Sequence, residues 1–122
     1  LLCAVTQLTS TDQKRMEEDR WIEKPLEQVV DHYAANAKKA GLDGVVCSPL
    51  EAARVHETCG REFLTVTPGV RFADGEAGDQ VRITTPARAK EIGSDYIVVG
   101  RPITQAADPV AAYRRCVREF VG

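Results

Sequence analysis

Short apolar runs alternate with helix-patterned stretches along the whole chain. LLCAVTQL (residues 1–8) is a continuous apolar run that turns polar at its end and reads as a strand, and TSTDQ after it is a loop with capping chemistry. Residues 12–24 are highly charged, with Met16, Trp21 and Ile22 as the large apolar anchors, which suits a short helix or an irregular flap. From Pro25 the period becomes helical: Leu26, Val29, Val30, Tyr33, Ala34 and Ala37 fall on one face, and Lys38-Lys39 before Gly41 makes a C-terminal stop. GLDGVVCSP then predicts a buried strand, Glu51 to Cys59 a helix closed by Gly60, and FLTVTPG a further strand. After a long polar stretch, Thr85-Pro86 starts a helix that Gly93 ends. DYIVVGRP predicts the last strand, and Pro109 opens a helix in which Val110, Tyr113, Val117, Phe120 and Val121 can pack.

The resulting order is β-loop-α-β-α-β-loop-α-β-α, an α/β pattern with four strands and four main helices. Uninterrupted apolar strands such as YIVVG suit a parallel sheet covered on both faces. AGLDGVVCSP and IGSDYIVVGRP echo each other: a helix-end glycine, a spacer, an aspartate, an apolar strand and a proline soon after. Polar residues and glycines gather at the C-terminal end of each strand, the end where parallel α/β folds bind ligands. Four such units fit either a small doubly wound sheet or half of an eight-stranded barrel, and the pattern by itself does not choose.

Composition narrows the function classes. The chain has 122 residues, the size of one domain, with 43% hydrophobic and 28% charged residues and a net charge of −2. That balance supplies no basic field, which argues against a nucleic-acid or anionic-membrane surface. No apolar run approaches the ~20 residues that span a bilayer. Cys3, Cys47, Cys59 and Cys116 are scattered, with no CxxC pair and no His at ligand spacing, so they read as structural thiols of a cytoplasmic protein, with no metal site. The chain opens on Leu1, already inside an apolar run, which reads as a cut end.

Candidate chemistry sits after the last two strands. In VVGRPIT, Gly100 lets the backbone come close to a ligand, Arg101 stands at the lip, and Pro102 can open a short helical turn; a tight turn with a surface charge fits equally well. Pro68-Gly69 re-aims the chain so that Arg71 can swing across the mouth of the sheet, and Gln80 follows a glycine-rich span. Two arginines and an amide would chelate a phosphate dianion, because the planar guanidinium matches its oxygens; a solvated loop is the alternative. Thr9 can bond a polar ligand or cap the next segment. Cys47-Ser48 imitates a nucleophile site but has no His at a strand end to activate it. Asp43 and Asp95 precede their strands and read as capping or turn residues.

Taken together, AVTQLTS, AGLDGVVCSPLEA, FLTVTPGVR with GDQVRI and TP, and SDYIVVGRPITQA with DP resemble the orotidine 5′-phosphate decarboxylase family from Leu1 to about Gly122. The charged stretch EEDRWIEKPLEQVVDHYAANAKKAGLDG looks like the Gram-positive bacterial branch. The resemblance implies a TIM (β/α)8 barrel, with residues 1–122 as a single fragment covering strands five to eight and their helices, a half-barrel. It implies a cytoplasmic carboxy-lyase of UMP synthesis that needs no metal or organic cofactor, binds a nucleotide, and is a homodimer as a whole enzyme. It also implies roles: Thr9 contacts the pyrimidine, Arg71 and Gln80 lie on the seventh loop that closes over the phosphate, and Gly100 and Arg101 form the eighth-strand phosphate clamp. The family's Asp/Lys array, with its D-x-K-x-x-D motif and the lysine that protonates C6, does not occur in these residues. No catalytic residue is therefore assigned, and the 122 residues alone are expected to hold phosphate without decarboxylating. The competing reading is an isolated or engineered half-barrel acting as a non-catalytic phosphate-binding or folding module. Either way, four strands on their own would expose two edges and an apolar inner face, which invites pairing.

Overall fold

A computed structural model describes residues 1–75 and 82–122. The chain runs β1 (Cys3–Val5), α1 (Gln13–Arg20), α2 (Leu26–Lys39), β2 (Gly44–Val46), a 3-10 turn (Pro49–Glu51) leading into α3 (Ala52–Cys59), β3 (Leu64–Thr67), α4 (Pro86–Ile92), β4 (Tyr96–Ile97), α5 (Arg101–Thr104) and α6 (Pro109–Phe120). The helix starts follow their caps. Asp12, Thr85 and Asp108 accept from the backbone N–H of Arg15, Arg88 and Ala111, at 2.8, 3.2 and 3.0 Å.

All strand pairs are parallel and the sheet order is β1-β2-β3-β4. A doubly wound sheet reverses its strand order at a switch point. No reversal occurs here, so the strands advance one way round, as in a segment of a barrel. Register then sorts the side chains into two faces. Ala4, Val45 and Thr65 align on the face that α2 and α3 cover, where Val30, Ala34, Val45, Cys47, Val55, Cys59 and Phe63 form the core. Val5, Val46, Val66 and Tyr96 align on the opposite face, and the outer two of this row, Val5 and Tyr96, are 56% and 55% exposed. The expected coverage on both faces is therefore corrected: helices cover one face, and the inner face of the curved sheet is open.

Two further expectations change. β4 keeps ladder pairing for two residues only, Tyr96 and Ile97, and beyond them Val98 N donates to Thr67 O at 3.0 Å. On α6, Cys116 is the buried residue, whereas Val110, Tyr113, Val117 and Val121 are 37–68% exposed.

The N-terminal ends of the strands hold structure together. Asp95 does much more than shape a turn. Its Oδ2 accepts from Thr65 N at 2.9 Å, Thr65 Oγ1 at 3.0 Å and His56 Nε2 at 2.9 Å, and its Oδ1 accepts from Arg61 Nη1 at 2.8 Å. Burial works to raise this carboxyl's pKa, but the bonds from Arg61, Thr65 and His56 outweigh it and hold it below the ordinary range. A depressed folded pKa means that Asp95 stabilises the fold above the unfolded value of about 3.9, and that the contribution is lost as pH falls through the folded value. Asp95→Ala is expected to cost roughly 2–4 kcal/mol in urea denaturation at pH 7, because four donor groups lose their acceptor. The variant should also lose part of the wild-type drop in stability below about pH 4. Asp43 has a smaller version of this task, accepting from Leu2 N at 2.6 Å at the start of β1.

Candidate functional site

The site is built where β3 and β4 end. Pro68 stops the β3 ladder, and Gly69 turns the chain at φ 78°, a conformation that favours glycine. A Cβ there would lie 3.2 Å from both Arg82 O and the Thr9 side chain, so the turn is also closely packed. Val70 then bridges Thr84, and Arg71 N donates to Thr84 O at 2.9 Å. The two roots of the long loop are thus stapled to each other.

Beyond the staple, Arg71 is 8% exposed and its Nη1 donates to Val70 O at 2.8 Å. The sequence suggested an arm that swings over the mouth; the structure makes Arg71 a wall. From the other side, β4 leads through Gly100 into α5, whose Ile103 and Thr104 N–H groups bond Gly100 O at 2.9 and 3.0 Å. Arg101 is exposed at that corner. A cleft of about 260 Å³ lies between the two segments, lined by Arg71, Phe72, Asp74, Gly75, Arg101, Pro102 and Gln105. Residues 30 positions apart in sequence thereby line one concavity, with two arginines among its walls.

Other predicted residues take different places. Among the described residues, chain neighbours apart, no atom lies within 4 Å of where a Cβ on Gly100 would stand, so packing against them does not require a glycine there. Thr9 is 5% exposed and packs behind Gly69 rather than lining the arginine cleft. Gln80 lies outside the described residues. Ser48 is fully buried; its Oγ donates to Arg82 O at 3.2 Å and accepts from Leu50 N at 3.3 Å. Burial pushes the Cys47 thiol up to about 12, against the pull of the nearby Arg82 charge. Cys47-Ser48 is structural, and all four cysteines are free thiols.

Sequence reasoning missed Arg82. Its backbone N–H donates to Thr9 O at 3.1 Å, and its Nη2 donates to Gln7 O and Leu8 O at 3.0 and 2.8 Å. Its Nη1 pairs with Glu51, whose other carboxylate oxygen accepts from Ser48 N at 2.9 Å in a capping box. The side chains of Arg82 and Glu51 are 11% and 8% exposed, so the pair is almost dry. Burial draws the Arg82 pKa down from the ordinary arginine value, while the carboxylate compensates its charge. One residue thus ties the C-terminal end of β1, the turn after β2 and the root of the long loop. The Ser-x-x-Glu spacing of SPLE signalled the capping box; nothing local signalled its second partner.

Comparison with known proteins identifies the family. The family model described as orotidine 5′-phosphate decarboxylase / HUMPS family matches residues 1–116. The chain is 60% identical over 119 residues to the orotidine 5′-phosphate decarboxylase of Bacillus caldolyticus, covering 98% of this chain and 49% of that protein. It superposes on the crystal structure of orotidine 5′-phosphate decarboxylase from Lactobacillus acidophilus with a TM-score of 0.81 and 45% identity, covering 99% of this chain and 49% of the other. The Pyrococcus horikoshii structure, at 22% identity and a TM-score of 0.60, supports the fold alone. The chain spans about half the length of the relatives it matches.

Proposed function

Because the chain belongs to the orotidine 5′-phosphate decarboxylase / HUMPS family, a family of TIM barrels, we propose that it is the phosphate-holding part of an orotidine 5′-phosphate decarboxylase. In this reading residues 1–122 supply strands five to eight of the barrel. The substrate is orotidine 5′-phosphate and the product UMP, formed by a protein that is cytoplasmic and homodimeric as a whole. Among the described residues, no helix is long and apolar enough to cross a membrane.

The observation that carries the proposal is the meeting of Arg71 and Arg101 in one cleft at the C-terminal ends of β3 and β4. Two guanidinium groups in a concave wall suit a phosphate dianion, and charge-assisted bonds of this kind are the strong ones. Gly100 places no side chain on the backbone beside Arg101. Thr9, held by Arg82 behind Gly69, sits on the pyrimidine side, and Gln80 adds an amide to the phosphate. Decarboxylation leaves the phosphate untouched, so these residues act by binding: energy gained at the remote dianion positions the base for chemistry elsewhere. The residues present hold and orient the nucleotide, whereas proton delivery to C6 needs an Asp/Lys array that this sequence lacks.

The test is turnover of orotidine 5′-phosphate by two polypeptides. The whole protein carrying these residues should release CO2, and the 122 residues alone should not. Robust turnover by the 122 residues would contradict the assignment of chemistry to residues outside them.

A further inference from the structure

A third arginine reaches the cleft wall from α6. Arg115 Nη1 bonds Asp74 Oδ1 at 2.8 Å, its guanidinium lies 4.2 Å over the Phe72 ring, and its Nε bonds Glu119 Oε1 at 2.7 Å. Phe72 and Asp74 line the cleft together with Arg71 and Arg101, while Arg115 and Glu119 stand outside it. Helix α6 therefore grips, from behind, the segment that immediately follows Arg71.

Asp74 has the wrong charge for a cleft that receives a dianion. The bond from Arg115 draws its carboxyl below the ordinary range, and the side chain is 73% exposed. An exposed ion pair contributes little to stability. The consequence of this one lies in its placement: it ties the carboxylate to a guanidinium on α6, which stands outside the cleft that Arg71 and Arg101 line. The cation-π contact fixes Phe72 by the same side chain.

We infer that Arg115 is a positioning residue of the phosphate cleft, holding the Asp74 carboxylate aside and Phe72 in place so that the dianion meets arginine rather than aspartate. This rests on the phosphate reading of the cleft. Glu119 completes the arrangement by occupying Nε, which leaves the Nη1 edge facing Asp74.

The experiment is calorimetric titration of the whole polypeptide with UMP, inorganic phosphate and uridine. Arg115→Ala should raise the UMP Kd about tenfold, the effect of one misplaced charge near a partly screened dianion. It should weaken phosphate in parallel and leave uridine unchanged. Adding Asp74→Asn to Arg115→Ala should restore UMP to within about threefold of wild type, and Asp74→Asn alone should not weaken it, since no carboxylate is left to repel. A mere structural brace predicts the opposite, because Asp74→Asn breaks the same bridge. The inference is overturned if Arg115→Ala leaves the UMP Kd unchanged, or if Asp74→Asn fails to rescue it. Arg101→Ala separates the two levels: if it does not reduce the preference for UMP over uridine, the phosphate reading fails, and the role of Arg115 falls with it.

Discussion

Arg101→Ala is expected to raise the Kd for UMP by roughly 10- to 150-fold, the loss of about 1.5–3 kcal/mol that accompanies removal of a charge-assisted contact. The expectation follows from where the residue stands. Arg101 is exposed at the corner between β4 and α5, it lines the cleft opposite Arg71, and Gly100 beside it places no side chain on the backbone. Truncating it removes one side of the cationic grip while leaving the core of α2, α3 and the sheet untouched. Folding stability should therefore change little, and uridine, which has no phosphate, should bind as before. Arg101→Lys should recover only part of the loss, since an ammonium keeps the charge but not the planar fork. Calorimetry with UMP and uridine checks both halves of the expectation. An equal loss for the two ligands would indicate a general disturbance of the site instead.

The second large effect concerns stability. Glu51→Ala should destabilise the fold by about 3–5 kcal/mol in urea denaturation, because it leaves the Arg82 guanidinium buried without its counter-charge. Arg82→Met should cost a similar amount, since it strands the Glu51 carboxylate and frees the carbonyls of Gln7 and Leu8. The double variant, Glu51→Ala with Arg82→Met, should cost clearly less than the sum of the two. Additive losses would mean that the pair is not energetically coupled, and that Arg82 acts only through its contacts to the β1 end.

What could be read from sequence was what neighbouring residues decide together. Thr85-Pro86, Gly93 and Asp108-Pro109 mark helix ends through local cap chemistry, and the structure places the ends there. The parallel α/β alternation was legible for the same reason. The choice between barrel segment and doubly wound sheet was not legible in the pattern, because it depends on strand order, a long-range property; the family resemblance made it, and the strand order agrees. Burial of Arg71 was missed because its surroundings come from Thr84 and Val70 across the stapled loop roots. Arg82 and Arg115 were missed on similar grounds. Arg82 finds its partners some 31 to 75 positions away, and Arg115 finds Asp74 from another element. An arginine's chemistry is visible in the letter, but its partner is visible only in the fold. The apolar stripe of α6 misled in the other direction, since a helical period shows that a face is apolar without showing that anything covers it.

The most direct test of the central claim is a crystal structure of the whole polypeptide with UMP. The phosphate is predicted to sit between the guanidinium groups of Arg71 and Arg101, beside the Gly100–Arg101 backbone, with the pyrimidine toward Thr9. A nucleotide bound with its phosphate outside that cleft, or bound there base-first, would contradict the account.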